Sequence, residues 1–195
     1  MTERIAEKVT ERLLKYELID KDNQDLYCYS VQVWLEKLIG FAVIFFLSIL
    51  FKRVIETILF VIFLSAIRKR SGGYHANTYL MCFCGSIGLY VFYVLVVFPY
   101  LINHIKLNNI ALIIAIGIIL VIGSVNHPNM AWNEEEFRKS RRISRIIVIM
   151  EALCIFVAKC FRIPDDYVLF MSFGIILSAI LLLLGKIIKQ EVQAV

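Results

Sequence analysis

The sequence predicts an all-α, polytopic integral membrane protein: about six hydrophobic helices, two of them short, preceded by an N-terminal amphipathic helix at the membrane interface. Two observations carry this expectation. Sixty per cent of the 195 residues are hydrophobic, mean hydropathy is +0.77 and only 19% are charged, a composition far more apolar than that of a soluble domain of this length. In addition, residues 79–102, 107–125 and 167–185 contain no charge, and each has roughly the 20 apolar residues that a bilayer-spanning helix needs. The same composition excludes a disordered chain and a disulfide-stapled secreted module. It also argues against nucleic acid as a partner, although the net charge is +5 and the pI about 9.0.

The 195 residues read as one membrane domain. Residues 1–37 form a cytoplasmic or interfacial segment with six Lys/Arg, eight Asp/Glu and no apolar core of a signal sequence, so the N-terminus is expected to stay in the cytoplasm. Within it Ile5, Val9, Leu13 and Tyr16 recur at helical spacing with charges between them, as in an amphipathic helix on a membrane surface or packed on other loops. Residues 38–67 hold two apolar runs, 38–51 and 57–67, separated by Lys52, Arg53 and Glu56. Each is short for a hydrocarbon core about 30 Å thick, which predicts a helical hairpin, spanning or re-entrant. Residues 68–82 form a basic, glycine-containing loop that opens the next helix. The remaining helices fill 79–185, interrupted by a basic loop at 126–145.

In that loop Asn133 precedes Glu134, Glu135 and Glu136, an N-cap followed by acids in the first helical turn, so a helix is expected to start there. A sixth run, 146–161, is interrupted by Glu151 and Lys159. Sixteen Lys/Arg fall in segments on the N-terminal side of the membrane and five on the other, which predicts both termini and the 68–78 loop in the cytoplasm.

The chemistry concentrates between Arg68 and Cys82. Cysteine attacks as thiolate and needs a proton acceptor or a cationic neighbour, and histidine serves as either. His75 and Cys82 are such a pair. On one straight helix they would share a face but stand about 10 Å apart along the axis, too far for a hydrogen bond, so a turn is required. Gly72 and Gly73 supply the backbone freedom for it. Cys84 is the competing nucleophile, but at about 100° per residue it projects roughly 200° away from Cys82. Gly85 and Ser86 follow on the Cys82 side, leaving it open to close approach by another backbone. The alternative is that Cys82 is a small buried hydrophobe and the small residues serve helix packing. No metal or other cofactor is expected, since His75, Cys82 and Cys84 have no second Cys/His cluster to complete a zinc site. Glu151 stands inside a membrane run, where an acid is costly and is paired or functional.

These residues resemble accessory gene regulator B (AgrB), a family of small polytopic cysteine endopeptidases of Gram-positive quorum sensing. His75 and Cys82 match the family's histidine and the cysteine seven residues later at the start of a membrane helix. Arg68 and Gly73 match the arginine and glycine before that histidine, and His75-Ala76 matches a recurring dipeptide. Asn126-His127-Pro128-Asn129 and the acidic-then-basic loop after it are similar to clostridial-type members. Asn77 stands where some members carry proline. The likeness extends over roughly residues 1–190.

The resemblance implies a bacterial cell-membrane enzyme, a homodimer, that takes an AgrD-like propeptide with an acidic C-terminal tail. It would cleave at the tail junction through a Cys82 thioester, with His75 as acid and base, and promote thiolactone or lactone ring closure. Arg68 and Gly73 would support the pair. Lys69, Arg70, Arg138, Lys139, Arg141, Arg142 and Arg145 are candidates, by charge, for gripping the tail. Two other readings stay open: a small membrane transporter, and a noncatalytic membrane partner that binds a peptide through its basic loops.

Overall fold

A computed structural model describes residues 2–74, 78–126 and 132–188 of the chain. Helix α1 (Thr2–Lys15) folds back on α2 (Gln24–Leu50). It buries Ala6 and Thr10 and leaves Ile5, Val9 and Tyr16 exposed. The small face therefore meets α2, and the apolar stripe is exposed.

Helix α2 begins well before the apolar run at 38–51. Residues 24–37 contain neither glycine nor proline, so nothing interrupts the helix where hydropathy falls. The expected hairpin exists, but its first arm is the latter part of a 27-residue helix. A turn through Phe51, Lys52 and Arg53 leads to α3 (Val54–Ser71), which runs past the apolar residues 57–67 and through Arg68, Lys69 and Arg70.

Helix α4 (Tyr79–Phe92) passes through a π-helical turn (Tyr93–Val97) into the short α5 (Phe98–Leu101). Pro99 lacks the N–H that would continue an α-helical ladder, and the backbone widens just before it: Phe98 donates to Tyr93, five residues back. Helix α6 (Ile105–Ile122) stops at Gly123, which takes φ +77°.

The expected N-terminus at Asn133 is present. Its side chain accepts from Glu136 N–H at 2.8 Å, and the Glu136 carboxylate accepts from Asn133 N–H at 3.1 Å, a reciprocal capping box. The helix so started, α7 (Glu134–Cys160), joins the basic segment and the sixth apolar run in one rod. Its two intrusive charges turn inward: Glu151 is buried, and Lys159 donates to Asn109 on α6.

Helix α8 (Asp165–Ile187) is the axis of the bundle, packing on α3, α6 and α7. Gly174 lets it approach α3, because a Cβ there would lie 2.8 Å from Phe63 Cβ. Phe63, Ile67, Ile119, Val148 and Ile175 fill one part of the core, and Phe60, Tyr90, Tyr93, Leu169 and Phe170 fill the other.

The protein is an all-α membrane protein with four helical segments long and apolar enough to cross a bilayer: Lys21–Leu50, Tyr79–Leu101, Ile105–Ile122 and Asp165–Ile187. The described residues contain no strand, only a single parallel bridge from Gly72 to Val125. Apolar side chains such as Phe46, Leu95, Ile113 and Val121 point outward, as a lipid-facing surface requires. The chain turns at two ends of the bundle. One holds the 51–53, 102–104 and 161–164 turns, where Arg53 pairs with Glu56 at 3.0 Å and with Asp166. The other gathers Ser71–Tyr74, Thr78, residues 123–126 and the start of α7.

Candidate functional site

The segment between α3 and α4 is built by accounting for its backbone polar groups, which must find partners when buried. Ser71, Gly72 and Gly73 are all buried. Gly72 ends α3 with φ +64° and Gly73 follows with φ +110°, both in the left-handed region that glycine enters at little cost. A turn therefore replaces the longer helix, as the spacing of His75 and Cys82 demands.

Four contacts hold the turn from different parts of the fold. Val125 N–H donates to the Ser71 carbonyl at 2.8 Å. Ser140 Oγ, on α7, donates to the Arg70 carbonyl at 3.0 Å. Tyr74 N–H donates to the Leu181 carbonyl on α8 at 2.8 Å. Finally, the Arg68 guanidinium reaches back over the turn, donating to the Gly72 carbonyl and, at 3.1 Å, to that of Tyr74. His75, Ala76 and Asn77 lie outside the described residues, and so do His127, Pro128 and Asn129. The chain enters His75 directly from the anchored Tyr74.

Across the turn, Thr78 caps α4: its side chain accepts from Met81 N–H at 3.3 Å, and its carbonyl accepts from Cys82 N–H at 3.1 Å. Cys82 thus sits one turn inside the positive end of the helix, close enough for that end to favour negative charge. Its side chain is exposed, as is that of Cys84. Arg68, at the end of α3, is a cation whose titration responds to Cys82. Burial pulls the guanidinium pKa down, and the charge of Cys82 acts in the opposite direction. Beside Cys82 the α4 surface is open, with nothing within 4 Å of where a Cβ on Gly85 would lie. Ser86 spends its hydroxyl on the Cys82 carbonyl at 2.8 Å.

The basic candidates divide. Arg141 and Arg145 both donate to the Val121 carbonyl, at 3.3 and 3.1 Å, satisfying a C-terminal group of α6 that no helical N–H reaches. Lys69, Arg138, Lys139 and Arg142 are exposed, and Arg70 is partly buried. Glu151 lies 11 residues beyond Ser140 on α7, about 16 Å along the axis from the turn. Its Oε2 has no partner among the described residues.

Several residues that position the turn carry no motif that would reveal them in sequence. Leu181 and Gly185 belong to an unbroken apolar run. Asn126 is fixed by its amide group, which donates to the Trp132 carbonyl at 3.0 Å and accepts from Trp132 N–H at 3.1 Å, clamping the ends of the loop that leads to α7. Tyr79 donates its hydroxyl to the Glu36 carbonyl at 3.2 Å, tying α4 to the α1–α2 hairpin.

Compared with known protein families, residues 4–182 match the model described as accessory gene regulator B. No curated protein and no solved structure matches the chain.

Proposed function

The chain belongs to the accessory gene regulator B family, whose role lies in quorum-sensing peptide processing on an AgrD-type propeptide at the membrane, and from that premise we propose that it is a cysteine endopeptidase that also cyclises its product. One observation carries the reading: an exposed thiol, Cys82, stands in the first turns of α4, and Arg68 holds the backbone that leads into His75.

In this mechanism His75 takes the Cys82 proton, and the thiolate adds to the carbonyl at the junction between the peptide and its acidic tail. As the tetrahedral adduct collapses, the C–N bond breaks and His75 returns the proton to the departing amine. The tail-less peptide remains on Cys82 as a thioester. A thiol or hydroxyl of the same peptide then attacks that thioester, forming a thiolactone or lactone and freeing Cys82. A water-poor site and two ends held together favour ring closure over hydrolysis. Because exchanging an amide for a thioester is uphill, loss of the released tail draws the reaction forward.

The open side of α4 around Gly85 supports close approach of a peptide backbone. Exposed Lys69, Arg138, Lys139 and Arg142 support binding of an acidic tail by charge. The excess of basic residues in the segments at this end of the bundle supports a cytoplasmic site with both termini on that side. A homodimer is the assembly the family implies.

The test is mass spectrometry of the protein in liposomes after incubation with a synthetic AgrD-like propeptide. A tail-less, hydroxylamine-sensitive adduct on Cys82 is expected. An adduct on Cys84 would overturn the site while keeping the enzyme class. An intact peptide bound to folded protein, with no adduct, would favour the peptide-binding reading, and uptake of intact peptide into the liposomes would favour transport.

A further inference from the structure

We infer that Gly185, on α8, is a positioning residue for the candidate nucleophile: its missing side chain uncovers the Leu181 carbonyl so that Tyr74 can hang from it. This rests on the peptidase reading given above. In a helix the side chain of residue i+4 stacks over residue i, on the flank where the carbonyl of i is reachable. Residue 185 holds that place for Leu181. With glycine there, Tyr74 N–H approaches to 2.8 Å and bonds the Leu181 carbonyl from outside the helix.

The fit leaves no room for a methyl group. A Cβ on Gly185 would lie 2.7 Å from both the Gly73 carbonyl carbon and Tyr74 N, and 2.9 Å from Gly73 Cα. All three are backbone atoms, so relief requires the loop itself to move. The loop cannot withdraw without moving the carbonyls of Gly72 and Tyr74, the two that orient the Arg68 guanidinium. Arg68 ties the two sides of the turn together, and His75 is the next residue in the chain after Tyr74. A methyl group on α8 is thus transmitted through the turn to the backbone that leads into His75, the base proposed for the thiol, although Gly185 touches neither His75 nor Cys82.

Gly174 provides the contrast on the same helix. A Cβ there would also be too close, but to Phe63 Cβ, Leu64 N and Phe60 O of α3, away from the turn. Gly185→Ala and Gly174→Ala therefore separate positioning of the site from packing of the bundle.

The experiment measures iodoacetamide alkylation of Cys82 and Cys84 by peptide mass spectrometry, in wild type and variants in nanodiscs at neutral pH. Both thiols are exposed and two residues apart, so their ratio cancels general changes in access. In wild type Cys82 is expected to react faster. Gly185→Ala should cut the Cys82/Cys84 ratio several-fold, while Gly174→Ala leaves it unchanged and lowers thermal stability. Tyr74→Pro removes the donor from the loop side without altering α8, and should give the same loss even if Gly185→Ala does not fold. A preference for Cys82 that survives either Gly185→Ala or Tyr74→Pro overturns the inference and leaves the peptidase reading standing. Equal loss in Gly174→Ala also overturns it. No preference in wild type would overturn the activated-thiol reading itself and the inference with it.

Discussion

The Gly73 backbone fills the space that a side chain on Gly185 would need. A Cβ on Gly73 would lie 2.6 Å from an Arg68 guanidinium nitrogen and 2.8 Å from the Leu181 carbonyl oxygen, the acceptor that Gly185 leaves uncovered. Gly73 also takes φ +110°, where any other residue is strained. Gly73→Ala is therefore expected to lower stability by about 1–3 kcal/mol, through strain and overpacking together, and to abolish tail removal. Thermal unfolding in detergent and propeptide processing check the two effects. Full activity in the variant would show that the turn need not hold this path.

The two cysteines of α4 should behave differently. Cys82→Ala is expected to reduce tail removal at least about a thousandfold, since loss of a covalent nucleophile removes the whole chemical step. Cys84→Ala should leave turnover within about twofold of wild type, because at roughly 200° around the helix it faces elsewhere. Parallel cleavage assays with insertion into membranes verified in each case decide this. Equal losses from the two substitutions would discard the assignment.

What the sequence revealed follows from what lipid demands. Apolar runs of span length and basic connecting segments are set by the bilayer, and they identify α6 and α8 to within two or three residues at each end. The turn at Gly72 and Gly73 was legible because His75 and Cys82 could not meet on a straight helix. Helix ends in water were less legible: α2 and α7 continue through polar residues, where hydropathy falls but the backbone hydrogen-bonding pattern does not. Least legible were long-range backbone partners. Leu181 receives Tyr74 through a carbonyl group, which every residue has, and for the same reason nothing in the sequence pairs Arg141 and Arg145 with Val121.

At the opposite end of the bundle, Arg53 joins the α2–α3 turn to the first turn of α8 through Asp166, beside its bond to Glu56, and its guanidinium carbon lies 4.7 Å from the centre of the Phe98 ring. The pair is about a third exposed, so solvent weakens it. Asp166→Asn is expected to cost about 1 kcal/mol or less, with the loss shrinking as salt is raised. Tail removal should not change, because the pair lies at the other end of the helices. Unfolding midpoints at low and high ionic strength, with cleavage rates alongside, test this; a processing defect in a stably folded variant would contradict the separation of the two ends.

The basic run on α7 should separate into two functions. Arg141 and Arg145 converge on Val121, where two cations also meet the negative end of α6. Replacing both with alanine leaves that carbonyl without its side-chain donors and should cost about 1 kcal/mol, lowering the unfolding midpoint. Arg138, Lys139 and Arg142 are exposed, and no described side-chain hydrogen bond or ion pair commits them. Replacing these three should leave the midpoint in place and raise KM for a propeptide with its acidic tail several-fold, an effect that added salt should diminish in wild type. kcat should be preserved, since the chemistry at Cys82 is untouched. The same KM change from the Arg141/Arg145 pair, without loss of stability, would mean that the whole run binds the tail and that the contact with Val121 yields when substrate arrives.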